Sequence, residues 1–224
     1  MGTAKDTFLK LKLPKQKLIL DGAIEEFATW GFHRASINRL VQALGIAKGS
    51  IFQYFGNKEG LFAYVFDYAV DTVRQTLRKV KRESADADFF SRLRESLLAG
   101  IFFIRKHPKI YRIYLKMVFQ EEFPLRERYL KKIRLFSVDY LQPLLEAGIE
   151  KGEIRSNLDP TISAFVLDAV LDRFMQAYAV QFFDSGAGIY DAGDSDIREK
   201  IDKVIDILRV GLGSSEKDPG HSKI

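Results

Sequence analysis

Apolar residues in this chain recur every three or four positions almost from end to end, and no stretch alternates apolar with polar. That spacing lays one greasy face along each of a series of helices and offers nothing from which to build a sheet. Short breaks punctuate the pattern near Gly31, Gly45, Gly56-Asn57, residues 84–88, His107-Pro108, Phe123-Pro124, and residues 152–160 and 184–193. No internal repeat is visible. An all-α chain of about nine helices follows.

The first helix spans residues 14–30, with Ile19, Ala23 and Phe27 on one face, and Gly31 ends it. Ser36 is a suitable N-cap for a second helix, in which Ile37, Leu40, Val41 and Leu44 keep the i, i+3, i+4, i+7 pattern. Gly45 breaks that helix, and a third runs over residues 48–55. Asn57 can cap a long fourth helix with the stripe Phe62, Phe66, Ala69, Val73, Leu77 and Val80, ending in the polar stretch 79–88. Further helices are expected over residues 89–106, 109–120 and 125–151, the last kinked at Pro143. Asp159-Pro160 starts another, reaching residue 183, and the last covers 194–212. The chain thus divides into a small domain over residues 1–58, a larger helical one over 59–213, and a patternless, flexible tail over 214–224.

Composition narrows the function. Hydrophobic residues make up 46% and charged residues 29%, an ordinary globular mixture, and charges interrupt every apolar run before it could span a bilayer. Residues 1–17 are basic and lack the apolar core of a secretory leader, so a cytoplasmic location is expected. There is no cysteine, hence no disulfide and no thiolate metal site. His33, His107 and His221 are scattered without ligand spacing. No nucleophile elbow or phosphate loop appears, so neither catalysis nor a cofactor is expected. Residues 1–58 hold nine Lys or Arg against four acids, whereas the rest holds 26 of each sign. The entire +5 excess therefore sits at the N-terminal end. Such an excess suits a phosphate-binding surface, but it also suits a solvated lysine-rich lead segment.

A motif decides between the two. Helix, glycine-bearing turn and short helix form a helix-turn-helix, whose last helix enters the major groove of DNA. In the stretch from Leu44 to Phe55, Ile46, Ile51 and Phe55 can face a core, which leaves Lys48, Ser50, Gln53 and Tyr54 outward. Gly49 lets the backbone approach closely. The residues of this region resemble the tetracycline-repressor (TetR) family of bacterial regulators. The likeness runs from Lys15 to Val65: Phe27-x-x-x-Gly31-Phe32, Ala35-Ser36, Leu44-Gly45-Ile46-Ala47-Lys48-Gly49-Ser50, then Ile51-Phe52-Gln53-Tyr54-Phe55-Gly56-Asn57-Lys58-Glu59-Gly60-Leu61. Glu150-Lys151-Gly152-Glu153-Ile154-Arg155 with Asp159-Pro160 is a weaker echo of the family's C-terminal domain. Two positions depart from the usual pattern: Phe52, where Tyr is frequent, and Gly22, where Ala is usual.

The resemblance implies phosphate contacts from Ser36, Tyr54 and Lys58, and groove contacts from Lys48, Gly49, Ser50 and Gln53. Gln53 is the best candidate to read a base, since its amide can pair bidentately with adenine. It further implies a homodimer, with the two C-terminal helices forming a four-helix bundle with their copies. Such a dimer reads a pseudo-palindromic operator and releases it when a small molecule binds. The middle helices would enclose that effector, with Phe102, Phe103, Tyr111, Tyr114, Met117, Phe119 and Phe165 as inward-facing candidates. Arg173 interrupts an apolar face and could hold an anionic head, pointing to a mainly apolar or aromatic effector, with a carboxylate as one option. An architectural DNA-binding protein without an effector is the alternative.

Overall fold

A computed structural model describes residues 6–119, 126–133 and 137–212. The helices are α1 (Asp6–Leu9), α2 (Leu13–Arg34), α3 (Ile37–Leu44), α4 (Lys48–Phe55), α5 (Lys58–Glu83), α6 (Phe89–Lys106), α7 (Pro108–Phe119), α8 (Arg126–Ile133), α9 (Gln142–Glu150), α10 (Pro160–Ala179) and α11 (Asp194–Leu212). The described residues include no strand, and none of their helices is long and apolar enough to cross a membrane. The tail 214–224 and the break at Phe123-Pro124 lie outside the described residues.

Three elements differ from the periodicity reading. The lead segment contains a helical turn, α1, with Phe8 wholly buried. Gly31 does not end α2 but kinks it at φ 68°, ψ 178°, and the helix resumes to Arg34. Within the stretch 125–151, a π-helical turn, Ser137–Leu141, runs directly into α9. Pro143 stands in the first turn of α9, immediately after that widened turn.

The helices pack as two units. The first joins the described residues up to Gln75 with those of Ile104–Ile133. Its core is Ile19, Ala23 and Phe27 of α2, Leu40 and Val41 of α3, Ile51 and Phe55 of α4, and Leu61, Phe62, Val65 and Phe66 of α5. It therefore extends well past residue 58, because α5 completes the core on which α2 to α4 rest. Phe62 meets Phe27 edge-on at 5.0 Å, and Tyr129 of α8 lies against Phe62 and Phe66 at 5.6 and 4.3 Å. Helix α7 packs along α2, and Lys109 is ion-paired to Glu25. The hydrogen bond from Lys109 holds the Glu25 carboxyl below its ordinary range. Arg126 donates to the carbonyls of Met117 (3.2 Å) and Val118 (2.7 Å), so it caps the end of α7.

The second unit comprises Thr76–Phe103 and the described residues after Arg134. Asp88 accepts the N–H groups of Phe90 (2.9 Å) and Ser91 (3.1 Å) at the start of α6, and Glu153 accepts that of Phe89 (2.7 Å). Burial pushes the Asp88 carboxyl up, but the bonds from Ser91 and Phe90 and the nearby Arg209 outweigh it and hold it low. The Gly152-Glu153-Ile154 phrase thereby has a structural meaning: Glu153 caps α6 and Ile154 is buried core. Asp159 accepts the Ile162 N–H at 2.9 Å and starts α10, with Pro160 in its first turn. Inward residues of α10 are Ser163, Ala164, Leu167, Leu171 and Phe174; those of α11 are Ile197, Ile201, Ile205 and Leu208.

Candidate nucleic-acid interface

Helices α2, α3 and α4 build a helix-turn-helix from the residues that sequence spacing singled out. Leu40 and Val41 of α3 pack toward α2, and Gly22 admits them: a Cβ there would lie 2.8 Å from Leu44 Cδ2. The departure at Gly22 thus accompanies a close α2–α3 approach. Gly45 ends α3 at φ 64°, ψ 33°, a left-handed conformation that glycine adopts without strain. The chain then turns into α4, where Ile51 and Phe55 are buried and Ile46 is half-buried.

The opposite face of α4 is open. Lys48, Gly49 and Gln53 are exposed and Ser50 is half-buried. No protein atom lies within 4 Å of where a Gly49 Cβ would stand. Phe52 is exposed, with the Lys48 ammonium 5.9 Å from its ring centroid.

Three other candidates already have partners within the protein. Ser36 caps α3: its Oγ accepts the Arg39 N–H at 3.4 Å, and its own N–H is accepted by Glu26 at 2.7 Å. Lys58 Nζ donates to the carbonyls of His33 (3.1 Å) and Ala35 (3.2 Å) at the end of α2, and stands 4.7 Å over the Phe32 ring. The Tyr54 ring is packed against the protein, where its position in the motif led one to expect an open side chain. The residue is 7% exposed, its ring 5.7 Å from Phe8 and 6.2 Å from Phe55, which leaves only its hydroxyl edge for a phosphate. The unforeseen α1 covers it.

Glu26 and Arg39 were missed. Glu26 is buried at the α2–α3 junction and accepts Arg39 Nε with both carboxylate oxygens at 3.0 Å, as well as the Ser36 N–H. Arg39 also lies 4.4 Å over Trp30. The hydrogen bond with Glu26 raises the guanidinium's pKa. An acid placed one residue before Phe27 in an otherwise apolar stretch was the signal available.

The effector candidates scatter. Tyr111 and Met117, buried, and Tyr114, half-buried, belong to the first unit, and Phe103, half-buried, to the second. Phe102, Phe119 and Phe165 face outward instead, Phe165 at 68% exposure. Arg173 is likewise exposed, its guanidinium 4.6 Å over Phe183. Helix α10 is apolar around most of its circumference, so periodicity could not say which side is core. The outward side carries Ile162, Phe165 and Val166.

A short helix with one open polar face, held across a glycine turn by a packed partner and followed by a long helical domain, defines a ligand-responsive DNA-binding transcriptional regulator. Residues 19–65 match the model for bacterial regulatory proteins of the tetR family, and residues 87–213 match the tetracyclin repressor-like C-terminal domain. The chain belongs to the tetR family. The probable acrEF/envCD operon repressor of Escherichia coli (strain K12) is 27% identical over 177 residues, covering 77% of this chain and 79% of the relative. The fatty acid metabolism regulator protein of Bacillus subtilis (strain 168) is 26% identical over 176 residues, 77% of this chain and 87% of the relative. A TetR family transcriptional regulator from Chloroflexus aurantiacus J-10-FL superposes with a TM-score of 0.70 at 28% identity, covering 96% of this chain and 100% of that one.

Proposed function

We propose that this regulator is a repressor that binds a pseudo-palindromic operator as a homodimer and leaves it when an effector binds. The observation that carries the DNA reading is the open face of α4, where Lys48, Gly49 and Gln53 stand exposed on a helix whose other side is anchored in core. Lys48, Gly49, Ser50 and Gln53 enter the groove, while Ser36, Tyr54 and Lys58 reach phosphates at its edges. Residues 1–58 do the reading and residues 59–213 the control. The protein works in the cytoplasm and has no catalytic role.

Ile162, Phe165 and Val166 of α10, with Ile207 and Val210 of α11, support the dimer: all five are exposed apolar side chains on the two C-terminal helices. Pairing places two copies of α4 one DNA turn apart, roughly 34–36 Å. The effector is mainly apolar or aromatic, with an acidic group as one option. Likeness to a fatty acid metabolism regulator supports an apolar chain. Phe103, half-buried within the second unit, remains a candidate contact. A ligand that prefers one spacing of the reading heads shifts the population by no more than its differential affinity. Helix α5, continuous from the reading head into the control domain, is the lever.

Selection of preferred sequences from a random DNA pool tests this reading. Enrichment of two inverted half-sites one turn apart is the expected result, and a flat pool or a single half-site would count against it. A thermal-shift panel of apolar, aromatic and carboxylate ligands tests the effector class. Stabilisation only by sugars or metal ions would sink that part.

A further inference from the structure

The turn α1 has no role in the interface described above, yet it is built against it. Phe8 is 0% exposed and sits among three aromatic rings: Phe55 at 4.8 Å and Tyr54 at 5.7 Å on α4, and Tyr64 at 5.1 Å on α5. Burying a phenylalanine this completely removes a large apolar surface from water and holds a short segment that no sheet or long helix secures. A second tether lies at the far side of the turn. Gln16 Nε2 donates to the carbonyls of Leu9 (3.0 Å) and Leu11 (2.8 Å), closing the loop between α1 and α2. The lead segment is therefore fixed to the reading helix at its C-terminal half, where Tyr54 lies.

What this fixed turn presents is charge. Lys10 and Lys12 lie in the loop between α1 and α2, and both are exposed. They belong to the nine basic residues that give residues 1–58 the chain's whole positive excess. A solvated lead segment would need no buried aromatic anchor and no glutamine clasp. A charged strap held beside the recognition helix is the arrangement that adds phosphate contacts next to the groove it reads.

We propose that α1 and the loop after it form part of the DNA-binding surface: Lys10 and Lys12 each contact a backbone phosphate, and Phe8 is the positioning residue that seats them against α4. The proposal rests on the DNA-binding reading above. It adds two contacts that carry no sequence information, so they should strengthen binding to every duplex alike.

The test is the salt dependence of full-length protein on a selected operator and on random duplex. Each phosphate contact contributes about 0.9 to the slope of log K against log salt, so Lys10→Gln with Lys12→Gln, which removes two contacts from each subunit of the dimer, should lower the slope by about 3.6 on both DNAs. Between roughly 50 and roughly 200 mM salt, wild-type affinity should then fall about 150-fold further than that of the double variant. The melting temperature should stay unchanged, because both side chains are exposed. Phe8→Ala should lower the slope by the same amount, with base preference retained; a merely structural Phe8 would lower the melting point and leave the slope alone. The same exchange at Lys79 and Lys81, in the last turns of α5, should leave the slope at its wild-type value. An unchanged slope in the Lys10/Lys12 variant would overturn the proposal while wild type still binds its operator. Wild-type protein that retained no DNA at any salt would instead overturn the DNA-binding reading on which it stands.

Discussion

Two carbonyl oxygens, those of His33 and Ala35, already occupy two of the three donors of the Lys58 ammonium, leaving one N–H for a phosphate. Lys58 therefore serves the fold and, on the proposed reading, the interface as well. Lys58→Met keeps the stem over Phe32 but removes the charge. It should lower the salt slope of the dimer by about 1.8, one contact being lost from each subunit, and cost about 1 kcal/mol of stability, read by titration and by melting. Gln53 makes the opposite case, being exposed and outside the core. Gln53→Ala should leave melting alone and relax preference at one base position, at roughly 1–3 kcal/mol. If both variants weakened operator and random duplex equally, the division between phosphate and base contacts would be wrong. Glu26 belongs to neither group. Its buried carboxylate accepts from Ser36 and Arg39, so Glu26→Ala leaves the Ser36 N–H without its acceptor and should cost about 1–3 kcal/mol in denaturant unfolding.

At the scale of elements, α3, α4 and their turn were legible because their apolar periodicity is one-sided and Gly45 and Gly56 mark their ends. The reading failed where the pattern is not one-sided. Helix α10 is greasy nearly all round, so Phe165 and Arg173 could be set on its inner face as easily as its outer one. A single aromatic in a lysine-rich lead has no period at all, which is why Phe8 and the burial of Tyr54 escaped it. The α4–α5 junction is a further case, because only coordinates reveal its tightness. A Cβ on Gly60 would stand 2.0 Å from the Phe55 carbonyl oxygen, a backbone atom that cannot step aside. Gly60→Ala should thus destabilise by several kcal/mol, on the order of other severe backbone clashes. Gly49→Ala meets open space and should stabilise α4 by up to about 1 kcal/mol while weakening DNA binding, where backbone approach is needed. Unfolding curves and operator titrations of the pair would show the two effects parting. Helix α7 is held to α2 in part by Lys109 and Glu25. The folded Glu25 carboxyl lies below its ordinary value, so its contribution is present above the unfolded pKa of about 4.3 and fades as pH falls through the folded one. The melting gap between wild type and Glu25→Gln should accordingly be open at about pH 7 and narrow as pH falls below about 4.3.

The molecule as a whole leaves more apolar surface on its two C-terminal helices than a lone subunit accounts for. Single exposed aliphatics are common on any surface, but here Ile162, Phe165 and Val166 share one face of α10, and Ile207 and Val210 project from α11. The proposed pairing with a second copy would bury them, and closed two-fold symmetry would present one substitution twice across the contact. Phe165→Glu therefore sets two carboxylates into an apolar seam. Wild type should sediment at about twice the 25.6 kDa of the chain and Phe165→Glu at the single-chain mass, with the helical circular dichroism retained. A monomer keeps one reading head, so its salt slope on random duplex should fall to roughly half, and its preference for paired half-sites over a single one should vanish. Dimer mass retained in Phe165→Glu would place the subunit contact elsewhere. Monomeric protein that still preferred paired half-sites would show that the DNA itself, rather than α10 and α11, brings the two heads together.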